Sequence, residues 1–157
     1  MGELVLTKDD ILDAGKTTRD RWLGVMSAFA VAWYIFNLMV FVMLLSLGEN
    51  SVSAVYNDAQ LSYLIATPFW VNAAHAAAIG AGLIGSAYLL LRRSTAYYWF
   101  GACLVALLIM MLDASLRGGF EVMGESLTGI SLISFVIGIY LFWAAYLARN
   151  GGELSAT

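Results

Sequence analysis

The chain has a single histidine, His75, and it stands inside a long apolar run rather than in a loop. A neutral imidazole offers one donor and one acceptor nitrogen, can pass a proton near neutral pH, and can ligate a metal or a porphyrin iron. Asn72 precedes it by three residues, the spacing that sets two side chains on one helix face. Asn37, Asp113 and Ser131 interrupt other apolar runs in the same way, with Ser134 three residues beyond the last. Polar groups in such surroundings are costly to bury, so they either satisfy one another or serve a ligand. A His75–Asp113 pair in low dielectric could hold a proton or a polar solute. The plainer arrangement is equally concrete. Asp113 and Arg117 are one turn apart and can pair with each other, while His75 and Asn72 act as hydrogen-bonding glue between helices.

Alanines flank His75 on both sides, at 73, 74, 76 and 77, and small neighbours would let a macrocycle approach an axial histidine. A haem or chlorophyll-type pigment is therefore conceivable, although one histidine supplies only one axial ligand and a second would come from another chain. No other cofactor and no metal are expected: the sole cysteine, Cys103, lies mid-run with no ligand spacing around it. It reads as a small core residue. Catalytic residues are not expected either. No serine or cysteine nucleophile adjoins a histidine, and no zinc-protease, phosphate-loop or dinucleotide pattern occurs. Gly80-Ala81-Gly82 falls within an apolar run, out of reach of a nucleotide.

The elements that must position these residues are four apolar runs, at about 22–47, 68–91, 96–116 and 126–148. Each has about 20 residues or more, enough at about 1.5 Å per residue to cross a hydrocarbon core of about 30 Å. Lipid cannot hydrogen-bond a backbone, so such runs are viable only as helices. The apolar fraction, 61%, exceeds the half or so of soluble domains. The expected fold is an all-α integral membrane protein, a four-helix transmembrane bundle over 22–148. A cytoplasmic amphipathic tail (1–21) precedes it and a cytoplasmic tail (149–157) follows.

Charge gives the expected orientation. Lys8, Lys16, Arg19, Arg21, Arg92, Arg93 and Arg149 fall on one side, while the other two connections carry Glu49, Asp58, Glu121 and Glu125, with Arg117 as their one basic residue. By the positive-inside rule the first side, with both termini, is cytoplasmic. The acidic start lacks the basic region of a signal peptide, so no cleavable leader is expected. The net charge of −3 sits in tails and loops and points to no nucleic-acid partner.

Punctuation refines the boundaries. Thr67 reads as an N-cap with Pro68 at the first helical position, Gly48 closes the first helix, Gly118-Gly119 closes the third, and Arg92–Thr95 is a tight inner turn. Thr7 reads as a start for a short amphipathic helix toward Gly15. Apolar side chains at Val52, Val55, Tyr56, Ala59 and Tyr63 suit a short helix lying on the outer surface. Tryptophans and tyrosines near the run ends suit the headgroup region. In the second run Ala73, Ala77, Ala81 and Gly85 recur every four residues, and Ala74, Ala78, Gly82 and Ser86 form a parallel row. Small rows let helix backbones approach where no hydrophobic effect draws helices together, so Ala73, Ala77, Ala81 and Gly85 are a predicted packing face. Counting along the helices puts His75, Asn72, Asp113 and Ser131 at similar depth in the outer half, with Asn37 deeper.

The segment Tyr56-Asn57-Asp58-Ala59-Gln60-Leu61-Ser62-Tyr63, then Pro68-Phe69-Trp70, the Ala/Gly-rich run, Tyr88-Leu89-Leu90-Leu91-Arg92-Arg93 and Ala96-Tyr97 resembles a family of short bacterial four-helix inner-membrane proteins. The resemblance covers about residues 20–148. It implies a bacterial inner membrane and four helices; some members carry a sugar-transporter label, and no catalytic residue is implied. Three functions fit the residues. The first, and the one expected, is a non-catalytic accessory subunit docked on a larger membrane complex. The second is a homo-oligomeric transporter or channel for a small polar solute or a proton. The third is a pigment- or haem-associated protein using His75.

Overall fold

A computed structural model describes residues 8–46, 56–152 and 154, and these are helical throughout their regular structure, with no strand. In chain order the helices are α1 (Lys8–Ser46), α2 (Asp58–Ile65), α3 (Phe69–Leu90), α4 (Ala96–Leu116) and α5 (Gly119–Asn150). Four segments are long and apolar enough to cross a membrane: Arg21–Ser46, Phe69–Leu90, Ala96–Leu116 and Thr128–Asn150. At most 33% of any of them is buried within the chain, and only 11% of the first. Phe36, Met39, Met43, Val105, Leu112 and Val136 are each more than half exposed. An apolar surface of that extent belongs in lipid or against another protein, which is the composition of a membrane protein.

The first span is not preceded by a separate tail helix. One 39-residue helix runs unbroken from Lys8 to Ser46. Gly15 does not stop it, because a lone helical glycine costs only about 1 kcal/mol and no proline follows. Thr7, Gly48 and the stretch 51–55 lie outside the described residues. The start of α3 also differs from expectation. Pro68, extended at φ −60° and ψ 147°, occupies the N-cap, and the helix begins at Phe69. Thr67 uses its hydroxyl backward instead, donating to the Tyr63 carbonyl at 3.0 Å.

The turn between α3 and α4 is a Schellman closure. The Arg93 amide reaches the Tyr88 carbonyl at 2.8 Å and the Arg92 amide reaches Leu89 at 3.0 Å. Arg92 holds the left-handed position at φ 55°, which glycine usually fills. At the opposite end Gly118 takes that position at φ 66° and closes α4. A second glycine, Gly124 (φ 75°, ψ 176°), interrupts α5, so its first turn, 119–123, need not follow the direction of the span behind it.

The antiparallel pair α3–α4 is central; α1 packs on α3, α5 packs on α4, and α2 touches α5. The predicted small-residue face needs correction. Ala81 and Gly85 are buried, but Ala73 and Ala77 are exposed, whereas Ala78, Gly82 and Ser86 of the parallel row are buried. Residues four apart on an α-helix drift about 40° per step, so a row carried through three such steps winds off any one contact face. The close approach falls at Gly82, where a Cβ would overlap the Tyr34 ring, and at Gly85, where it would meet Phe100 at 3.2 Å.

Below that contact, toward Arg92, the interior is filled. Leu89, Phe100, Cys103 and Leu141 are essentially inaccessible, and Leu154 folds back from beyond α5 to join them. Ser27 and Ser86 donate to carbonyls one turn earlier, at 2.7 Å each, so neither hydroxyl is buried unsatisfied. Arg149 caps this end over the rings of Tyr97 and Tyr98, at 5.4 and 5.3 Å.

Candidate functional site

Toward the Arg117 end the four spans separate around a cavity of about 390 Å³. Asn37 of α1, Asn72 and His75 of α3, Asp113 of α4, and Ser131 and Ser134 of α5 all line it. Its remaining wall is predominantly aliphatic, aromatic and methionine side chains. Its floor includes Tyr34, which lies on Gly82 and shares a 3.3 Å hydrogen bond between its hydroxyl and the Cys103 thiol. The filled half and the hollow half of the molecule meet at that tyrosine.

The polar residues do not all pair with one another. Asp113, 6% exposed, is held by Arg117 through Nε at 2.8 Å and Nη2 at 2.7 Å. No ion pair or hydrogen bond joins Asp113 to His75 among the described residues. Asn37 turns its amide back to the Trp33 carbonyl at 2.7 Å, and Ser134 donates to Ile130 at 2.9 Å. Ser131 has an interaction of its own. The His75 ring rests against Phe41, centroids 4.9 Å apart and planes at 61°. The side chains of Asn72 and His75 hydrogen-bond to no other described residue, so the expected glue between helices is not formed by these two. Their donor and acceptor capacity faces an apolar space.

Arg117 does more than neutralise Asp113. Its Nη1 donates to the Ala66 carbonyl and its Nη2 to the Thr67 hydroxyl, both at 3.3 Å, and its guanidinium lies 4.3 Å over the Tyr63 ring. Nε and Nη2 both close on the one oxygen Oδ2 of Asp113, and the remaining donors of the planar fork reach these groups. Donation to Asp113 raises the Arg117 pKa above its ordinary value. Burial raises that of Tyr63, Arg117 works against the rise, and Asp113 adds to it.

These contacts make a cover over the cavity. Helix α2 is capped reciprocally: the Asn57 side chain accepts from the Gln60 amide at 2.9 Å, and the Gln60 side chain accepts from the Asn57 amide at 3.2 Å. Gln60 then reaches the Met123 carbonyl at 3.1 Å, and Thr128 reaches Phe120 across the Gly124 break at 3.2 Å. The Tyr63 hydroxyl lies so close to Gly119 that any Cβ there would collide with it. The cover is therefore α2, residues 66–67 and the turn 119–123, clasped to α4 through Arg117.

The sequence carried a signal for the cap in Asn57-x-x-Gln60, hidden because residues 51–66 read as one surface helix. It carried none for Tyr63 on Gly119 or for Gln60 on Met123, which are contacts across 56 and 63 positions. Chemically, the cavity can hydrogen-bond a carbonyl or hydroxyl through Asn72 and His75. No group of three metal-ligating side chains occurs among the described residues. No protein-family model, curated protein or solved structure matches the chain, so the reading rests on its own residues.

Proposed function

We propose that this chain is a non-catalytic four-helix bundle of a bacterial inner membrane, with both termini cytoplasmic, and that it holds a small molecule in the cavity beneath the α2 cover. One observation carries the reading: Asn72 and His75, one turn apart on α3, line an apolar cavity with hydrogen-bonding capacity that no described residue uses. Both side chains are half-buried at the cavity wall, and polar groups placed at membrane depth are costly and tend to serve a ligand or a partner. Pockets with a mostly apolar wall, a few convergent polar groups and a volume of some hundreds of Å³ are the usual form of a small-molecule site.

The test is native mass spectrometry of the chain extracted gently from its own membrane, beside an Asn72→Leu/His75→Phe double variant. A small-molecule adduct on the wild type that the variant lacks supports the reading. A wild type that carries no adduct and gains none from a membrane lipid extract sinks it. A coloured adduct would shift the role of His75 to an axial ligand.

A second reading, the accessory subunit, is favoured by the exposed small-residue surface at Ala73 and Ala77 beside a first span only 11% buried. Small residues on a lipid-facing helix suit close docking of a second membrane helix. Heteromeric masses in the same spectra would support that docking; their absence would argue against it.

A further inference from the structure

We infer that the molecule held in this cavity is a neutral, membrane-borne amphiphile, with a carbonyl or hydroxyl head on an apolar body, and that it enters sideways between the first and fourth spans. This inference rests on the cavity reading above and adds the ligand's class and route.

Charge decides the class. Among the described residues Asp113 and Arg117 are the only carboxylate and guanidinium on the wall, they face each other at 2.7 Å, and no ammonium lines the cavity. A charged ligand would lie in a weakly polarisable space with no counter-charge left to meet it, which is strongly unfavourable. A small hydrophilic solute would leave most of its groups without partners on so apolar a wall. Asn72 and His75 together offer an amide and an imidazole to one small head, and the surrounding aliphatic and methionine side chains suit an apolar body.

Exposure decides the route. The end of the cavity nearest the loops is closed by the clasped cover, whose Gly119 is buried and whose Tyr63, Leu64, Thr67, Phe120 and Met123 are all partly buried. The flank between the first and fourth spans differs. Phe36 (57%), Val40 (40%) and Ile130 (53%) are exposed on the outer surface and yet line the cavity, as does the exposed Ser131. Residues that belong to both surfaces are the lips of an opening. The two spans bearing them pack only sparsely on one another, unlike each sequence-adjacent pair of spans. Near the Arg92 end they meet through Trp22 and Tyr140, at 6.5 Å. The seam therefore opens into the layer where lipid would lie, at the depth of Asn72 and His75.

Photolabelling of the full chain in phosphatidylcholine vesicles tests this. Three diazirine probes are compared: 1-decanoylglycerol, decanoate with the same chain, and a short water-soluble alcohol. The neutral lipid probe is expected to label cavity residues such as Asn37, His75 and Met110 at least about tenfold above lipid-facing Val105, the ratio given by about 1.4 kcal/mol of preference. Excess unlabelled decanoylglycerol should compete. Ser131→Trp, on the α5 lip, should remove that labelling, and Val40→Trp on the α1 lip should do the same. Equal saturable labelling by decanoate would overturn neutrality. Cavity labelling by the water-soluble alcohol, unaffected by either tryptophan, would overturn the lateral route while leaving the cavity reading intact. If no probe enters, the inference fails; the cavity reading then survives only if the native chain still carries an adduct.

Discussion

Replacing Gly82 with alanine should damage this protein in a way that replacing Gly80 should not, although both glycines lie in the same turn of α3. A Cβ at Gly82 would overlap the Cδ1, Cε1 and Cζ atoms of Tyr34, whereas one at Gly80 would meet nothing within 4 Å. Non-bonded carbons rest at about 3.5–4.0 Å, so the ring or the α1–α3 spacing must give by more than an ångström or so. Tyr34 has little freedom to do so: it is 5% exposed, and its hydroxyl is tied to Cys103 at 3.3 Å. Overpacking of this kind costs about 1–3 kcal/mol, against which alanine returns about 1 kcal/mol of helix propensity. Gly82→Ala is thus expected to destabilise by up to about 2 kcal/mol, and Gly80→Ala to be neutral or stabilising by up to about 1 kcal/mol, so the two differ by the overpacking cost of about 1–3 kcal/mol.

The measurement is equilibrium unfolding in mixed micelles, followed by helicity and by the fluorescence of Trp33, which neighbours Tyr34 in sequence. A gap of about 2 kcal/mol between the two variants is nearly thirtyfold in the folding equilibrium. Tyr34→Leu removes the ring that the new methyl strikes, so the double variant should recover at least about 1 kcal/mol relative to additivity. If Gly82→Ala proves as stable as Gly80→Ala, or if the two substitutions simply add, the close approach of α1 to α3 at Gly82 is wrong.

The cover yields the other predictions. Asp113→Asn leaves Arg117 with its Ala66 and Thr67 bonds but no counter-charge; because Arg117 is 25% exposed and can turn to water, the cost should be roughly 2 kcal/mol rather than the 3–5 of a fully buried pair. Hydrogen exchange should rise about thirtyfold in α2 and 119–123 and not in the spans, and unchanged protection there would refute the clasp. Asn57→Ala removes one arm of the reciprocal cap and should fray α2 by about 1 kcal/mol, read as faster exchange at Leu61 and Ser62. Tyr63 has a raised pKa in the folded chain, so its contribution to stability is complete below about pH 10 and is lost only as pH climbs through the folded value. The tyrosinate absorbance difference between wild type and Tyr63→Phe should have its midpoint above 10; a midpoint at or below that would contradict its burial under Arg117.

What could be read along the chain follows from which solvent each residue meets. The four spans were legible because lipid leaves a long apolar run no other conformation, and counting at a fixed rise set Asn72, His75, Asp113 and Ser131 toward one end of their helices, where all four line one cavity. Rotation about each helix axis was not legible. An error of one residue turns a side chain by about 100°, and runs apolar all round offer no amphipathic stripe to correct it. Hence Ala73 and Ala77 looked equivalent to Ala81 and Gly85, and the sequence could not tell whether Asp113 meets His75 or Arg117. The cover was least legible, because it is built from backbone carbonyls at Ala66, Phe120 and Met123, which leave no trace in residue type.

The same tyrosine links stability to the cavity. Tyr34 is both the group that Gly82 must accommodate and a part of the cavity floor beneath Asn72 and His75. A methyl at Gly82 would therefore press the floor away from α3, and the space open to a ligand should change along with the folding equilibrium. A stability defect alone would mean that Tyr34 serves only packing. A matching loss of decanoylglycerol labelling at His75, restored in the Tyr34→Leu background, would mean that the glycine at 82 keeps the cavity open as well as bringing the helices together. The helix approach and the hollow above it are then one feature of the fold, since the ring packed on Gly82 is the ring that forms the cavity floor.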